Sequence, residues 1–107
     1  MSITGTVREM ATPYEVAGPA KNVEVKLYTY REPELPQLPP IGDVIAESTT
    51  DNSGNYEFEV RLEALPADCV RLVVFVDDGY MGWKTVAVGE DIIGVDLAKG
   101  AIPLPTQ

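Results

Sequence analysis

The sequence predicts an all-β fold, an antiparallel sandwich of seven strands, and three observations carry that reading. Apolar and polar residues alternate with period two along most of the chain. No window of helical length holds a sustained apolar stripe. Clusters of Gly, Pro, Asn and Asp separate the alternating runs.

Ile3 to Arg8 places Ile3, Gly5 and Val7 on one face. Val23 to Tyr30 turns Val23, Val25 and Leu27 inward and Glu24, Lys26, Tyr28 and Tyr30 outward. Val44 to Thr50 is less regular because Glu47 interrupts either face. Tyr56 to Leu62 sets Tyr56, Phe58, Val60 and Leu62 against Glu57, Glu59 and Arg61. Val70 to Asp77 is the most β-prone run, and Trp83 to Val88 and Ile92 to Leu97 complete the set. Short strands with turn residues between them are the pattern of a sandwich.

The connections are informative as well. Asp51-Asn52-Ser53-Gly54-Asn55 predicts a tight turn: Gly54 tolerates positive φ, and the Asp51 carboxylate can accept backbone N–H bonds from the residues ahead of it. Asp77-Asp78-Gly79 and Gly89-Glu90-Asp91 are two further turns. Arg31 to Asp43 reads REPELPQLPPIGD. Proline lacks a ladder donor and favours polyproline II, so this segment is expected to be a protruding, semi-stiff loop.

At 107 residues the chain is one domain, large enough for a single core. Histidine is absent and Cys69 is the only cysteine. A disulfide framework, a histidine metal centre and a histidine general base are thereby excluded. Cys69 has neither a second Cys nor a His to activate it and reads as structural. The net charge of −9 repels phosphate, so nucleic acid and anionic membrane surfaces are not expected partners. The longest apolar run, Val70 to Val76, is too short to span a bilayer. No charged and then apolar leader precedes Ile3, so no signal peptide is expected in this chain.

With these runs in place, a family resemblance emerges. ITGTV, VEVKLY, IAESTTDNSGNYEFEV and DDGYMGWKTVAVGEDIIGVDLAKG together resemble the carboxypeptidase regulatory-like domains of the prealbumin-like, or transthyretin-like, group, which includes the B-type repeats of collagen adhesins. The match runs from Ile3 to about Lys99. Its most specific piece is Thr50-Asp51-Asn52-Ser53-Gly54-Asn55-Tyr56-Glu57-Phe58, which is similar to the family's T-D-x-x-G-x-Y/F-x-F hairpin; Gly79-Tyr80 resembles its G-Y turn. The resemblance implies a seven-stranded Greek key and a non-catalytic module, often extracellular or in the cell envelope. The long proline insertion departs from the short hairpin expected there.

Catalytic relatives of this sandwich depend on histidines, so their activities do not carry over, and the chain is read as not an enzyme. Glu57 with Glu59, and Asp77 with Asp78, are carboxylate pairs; the first sits on an outward face where water keeps it ordinary. An internal isopeptide bond, as in the adhesin repeats, would need Lys26 turned inward, whereas Val25 and Leu27 define the buried face. No cofactor is expected. Calcium is the one plausible ion, at Asp51, Asn52, Ser53 and Asn55, but a turn satisfied by its own side chains explains them better.

What remains is surface. Tyr28 and Tyr30 are expected outward, and so are Val73 and Phe75 if Leu72, Val74 and Val76 face the core. In relatives the second and fifth strands share a sheet, which would unite the four in an apolar outer patch for self-association or a protein partner. Pro33, Pro36 and Pro39 recur at the polyproline period and are a second candidate contact. Trp83 with Tyr80 could stack on a sugar ring, the basis of an alternative carbohydrate-binding reading.

Overall fold

A computed structural model describes residues 1–12, 15–35, 38–76 and 83–99. Among these residues there are eight strands: β1 (Ser2–Thr12), β2 (Glu15–Pro19), β3 (Glu24–Tyr30), β4 (Ile41–Thr49), β5 (Asn55–Glu59), β6 (Arg71–Val76), β7 (Trp83–Ala87) and β8 (Leu97–Lys99). A single 3₁₀ turn lies at Leu62–Ala64. The chain is all-β, in two four-stranded sheets. One has the order β4-β3-β6-β7; the other runs β2-β1-β5, with β8 also pairing β1.

The alternating residues build the interior. Ile3 and Val7 from β1, Tyr56 and Phe58 from β5, Val25 and Leu27 from β3, and Leu72, Val74 and Val76 from β6 are all buried in one cluster. The apolar faces of the two sheets therefore meet in a common core, the arrangement that removes most apolar surface from water for strands of this length.

Four expectations are corrected. The strand β2 was not foreseen: β1 continues past Arg8 to Thr12 and pairs with Glu15–Pro19 in an antiparallel hairpin. Its residues are mostly exposed, so no core face marks it in the sequence. The last predicted strand, Ile92 to Leu97, is broken. Ile92 makes an isolated parallel bridge to Ile3, Gly94 takes φ +82°, and the amides of Gly94 and Val95 both donate to the Thr4 carbonyl. Only Leu97–Lys99 pairs as a strand, and it runs parallel to β1, so this sheet is mixed rather than purely antiparallel. Val95 and Leu97 are buried nonetheless.

Leu62 is 43% exposed instead of inward. The ladder ends where the Val60 amide donates to the Met1 carbonyl, and the chain then enters the 3₁₀ turn, where period two has no meaning.

The proline segment is tied at its base and ends before Ile41 rather than at Asp43. The Arg31 amide donates to the Pro40 carbonyl at 2.9 Å, the Leu38 amide donates to the Leu35 carbonyl at 3.1 Å, and Pro40 is buried. Ile41–Asp43 belongs to β4. Proline deprives the loop of ladder donors, yet the bond at its base needs only the arginine amide and a proline carbonyl, which proline retains.

Candidate interaction surface

The register of the β4-β3-β6-β7 sheet places its outward side chains in rows. Lys26 lies opposite Glu47 on one side and Phe75 on the other, and Phe75 lies opposite Trp83. Tyr28 lies between Val44 and Val73, and Val73 lies opposite Thr85. In an antiparallel ladder directly opposed residues share a face. Tyr28, Val73 and Phe75 are thus brought together, with Val44 and Trp83 at the two edges.

The geometry is that of a packed cluster. The rings of Tyr28 and Phe75 meet edge to face at 5.9 Å, an arrangement set by the aromatic quadrupole. Tyr30 lies one row further on, with the Arg71 guanidinium over its ring at 5.0 Å. Tyr28, Phe75 and Trp83 are half-buried, Tyr30 is 36% exposed and Val44 is 51% exposed.

Val73 departs from the expected surface. It occupies the outward face, but its relative exposure is 0%. A valine in the centre of a sheet is short, and the longer side chains around it close over it. Those neighbours are Tyr28 across the ladder and Arg71 and Phe75 along its own strand. Val73 is the floor of the patch and offers no contact area.

Polar groups frame the cluster. Glu24 Oε1 accepts from Lys26 Nζ at 3.3 Å, and this bond, together with the glutamate charge, raises the lysine pKa above its ordinary value. Lys26 therefore points outward, on the face opposite Val25 and Leu27. Neither Arg71 nor Val44 was singled out from the sequence. Trp83, expected in a sugar-stacking pair, joins this row instead: Val86 is buried, and parity along β7 puts Trp83 on the opposite face.

The proline loop adjoins one corner. Pro33 and Pro39 are half-buried, Pro36 lies outside the described residues, and the exposed apolar side chains of the loop are Leu35 and Leu38. Beneath it, Thr29, Tyr30, Arg31, Asp43, Cys69 and Arg71 line a pocket of about 570 Å³. Cys69 is half-buried, and its thiol donates to the Arg71 carbonyl at 3.3 Å.

The Asp51 turn is self-contained. Asp51 Oδ1 accepts from the amides of Ser53 and Asn55 at 2.8 and 2.9 Å. The Asn55 amide, then that of Ser53, holds the carboxyl below its ordinary pKa. Gly54 has φ +79°, and a Cβ there would lie 2.6 Å from the Val7 carbonyl oxygen. Tyr56 is buried and its hydroxyl donates to the Val95 carbonyl; burial, with the charge of Asp96, raises its pKa well above the phenolic value.

Thr50 was missed as an anchor. Its buried Oγ1 accepts from the Val23 amide at 2.9 Å and donates to the Ala20 carbonyl at 2.6 Å, tying the entry of β3 to the end of β4. Its place at the head of the turn motif was the signal.

Among the described residues no three His, Cys, Asp or Glu side chains converge as a metal site. Asp77, Asp78, Gly79 and Tyr80 lie outside the described residues. Comparison of the chain with models of known families and with curated proteins yields no match.

Proposed function

We propose that the chain is a non-catalytic structural and interaction module, acting through protein–protein contacts in a surface or secreted assembly. One observation carries this reading: the outward face of the β4-β3-β6-β7 sheet bears Tyr28, Phe75, Trp83 and Val44 where a solvated sheet would be polar. Partner-binding surfaces are enriched in aromatic residues and arginine, and Arg71 stands at this margin. The finer fold belongs to the same proposal, a prealbumin-like Greek key of the carboxypeptidase regulatory-like kind. The pairing of β3 with β6 and the Asp51–Gly54 turn ahead of Tyr56 support it.

The test is hydroxyl-radical footprinting of the chain in its native setting against the purified chain at high dilution. Tyr28, Tyr30 and Trp83 are expected to be protected in the native setting. Equal reactivity in both would refute a partner on this face, and turnover of a substrate by the purified chain would refute the non-catalytic half.

A second reading, carbohydrate binding, draws on Trp83, half-buried and opposite Phe75 at the sheet edge. It predicts saturable quenching of the single tryptophan by an oligosaccharide.

A further inference from the structure

The aromatic face differs in charge from the rest of the molecule. The charged residues in its rows are Glu24, Glu47, Lys26 and Arg71, two of each sign, and the pocket at the Tyr30–Arg71 corner adds Arg31 against Asp43 and Asp68, on a chain of net charge −9. The outward side of the other sheet carries Glu57 and Glu59, both exposed, opposite Thr4 and Ser2. Two copies meeting through that acidic side would set like charges together. Two copies meeting through the aromatic side bring together rows in which the two signs balance, with a small acidic excess confined to one corner.

The pattern on this face is also self-complementary. Lys26 and Arg71 occupy diagonal corners around Tyr28 and Val73, and Phe75 and Tyr30 occupy the other two. A two-fold axis in the plane of contact and parallel to the strands exchanges β3 with β6. It seats Lys26 over Phe75 of the copy and Arg71 over Tyr30 of the copy. An axis across the strands seats Lys26 over Tyr30 and Arg71 over Phe75. Each operation puts both cations on aromatic rings, an attraction that strengthens as water is excluded.

Resting on the reading above, we infer that the partner is a second copy of this chain, docked face to face through Tyr28, Tyr30, Phe75, Trp83 and Val44 with Lys26 and Arg71 as the cations. The interface is isologous, so it closes at two copies and does not propagate.

Sedimentation equilibrium of the purified chain tests this. The wild type is expected to dimerise reversibly from its 11.6 kDa protomer. Val44→Asp is placed where the side chain is already half in water, so the fold is retained, with circular dichroism as the check. It is expected to weaken the dimer at least tenfold, and Arg71→Glu to do the same. Glu57→Lys, on the opposite side, should leave the dimer as strong or stronger. A strict monomer at concentrations up to about 0.5 mM, where even a weak dimer forms, overturns the inference. So does a dimer indifferent to both Val44→Asp and Arg71→Glu. A monomeric purified chain whose Tyr28 and Trp83 are still protected in the native setting overturns the second copy as partner and leaves the interaction reading standing.

Discussion

Gly5 and Tyr56 face each other across the β1–β5 ladder, and the Tyr56 hydroxyl donates to the Val95 carbonyl past the space that a Gly5 side chain would fill. A Cβ on Gly5 would lie 1.9 Å from that carbonyl oxygen and 2.8 Å from the hydroxyl. The missing side chain at Gly5 lets the Gly94–Val95 segment close onto β1. Gly5→Ala is therefore expected to destabilise the fold by about 1–3 kcal/mol, the usual cost of overpacking. Tyr56→Phe is expected to cost a similar ~1–3 kcal/mol by leaving a buried carbonyl unpaired. Tyr56→Ala should cost about 3–5 kcal/mol. Denaturant unfolding measures all three.

The same phenol makes stability fall in alkali. Its pKa is raised in the folded chain from the ordinary 10.0, first by burial and then by the negative charge of Asp96. The folded state then holds a proton that the unfolded state has lost. The contribution is complete below pH 10 and declines above it, with a slope of up to ~1.4 kcal/mol per pH unit for one proton. Unfolding measured from pH 8 to 11.5 should show this decline. In Tyr56→Phe that part of the slope should vanish.

The turn acts in the opposite direction and at the other end of the scale. The Asp51 carboxyl is held below its ordinary 3.8 by the Asn55 and Ser53 amides. Its contribution is present above that value and is lost as pH falls through the folded pKa. The stability gap between wild type and Asp51→Ala should be constant near neutrality and close below about pH 4. A gap that persists in acid would show that the carboxylate charge is not what the turn uses. Gly54→Val, at φ +79° against the Val7 carbonyl, should cost on the order of 1–3 kcal/mol at every pH.

Thr50 couples two connections through one oxygen. Thr50→Val keeps the shape and removes both side-chain bonds, leaving the Val23 amide and the Ala20 carbonyl without this partner. The expected loss is about 1–3 kcal/mol. Hydrogen exchange at the Val23 amide should accelerate beyond the global change, and Thr50→Ser should restore most of its protection.

Parity was the legible quantity in the sequence. Ile3 and Val7, Val25 and Leu27, Tyr56 and Phe58, and Leu72, Val74 and Val76 are all buried in the core cluster, because alternate side chains of a pleated strand must leave on opposite faces. The Asp51–Gly54 turn was legible for a similar reason: its bonds run between residues at most four apart in the chain. Tyr28, Tyr30 and Phe75 were assigned to the outward face by the same alternation.

Alternation names a face without saying what else covers it, and there the tertiary structure decided. Val73 is outward yet inaccessible because Tyr28 of β3, distant in sequence, lies across the ladder from it and joins Arg71 and Phe75 in closing over it. The strand β2 has no buried face and exists through its ladder with β1. The last predicted strand is interrupted at Gly94, where two amides share the Thr4 carbonyl and Val95 turns toward Gly5 and Tyr56. The stacking of Arg71 on Tyr30 and the closure of the proline loop by Arg31 and Pro40 likewise depend on segments brought together only by the fold. Local pattern determined which way each side chain leaves its strand; contacts across the sheets determined which of those side chains still meet water.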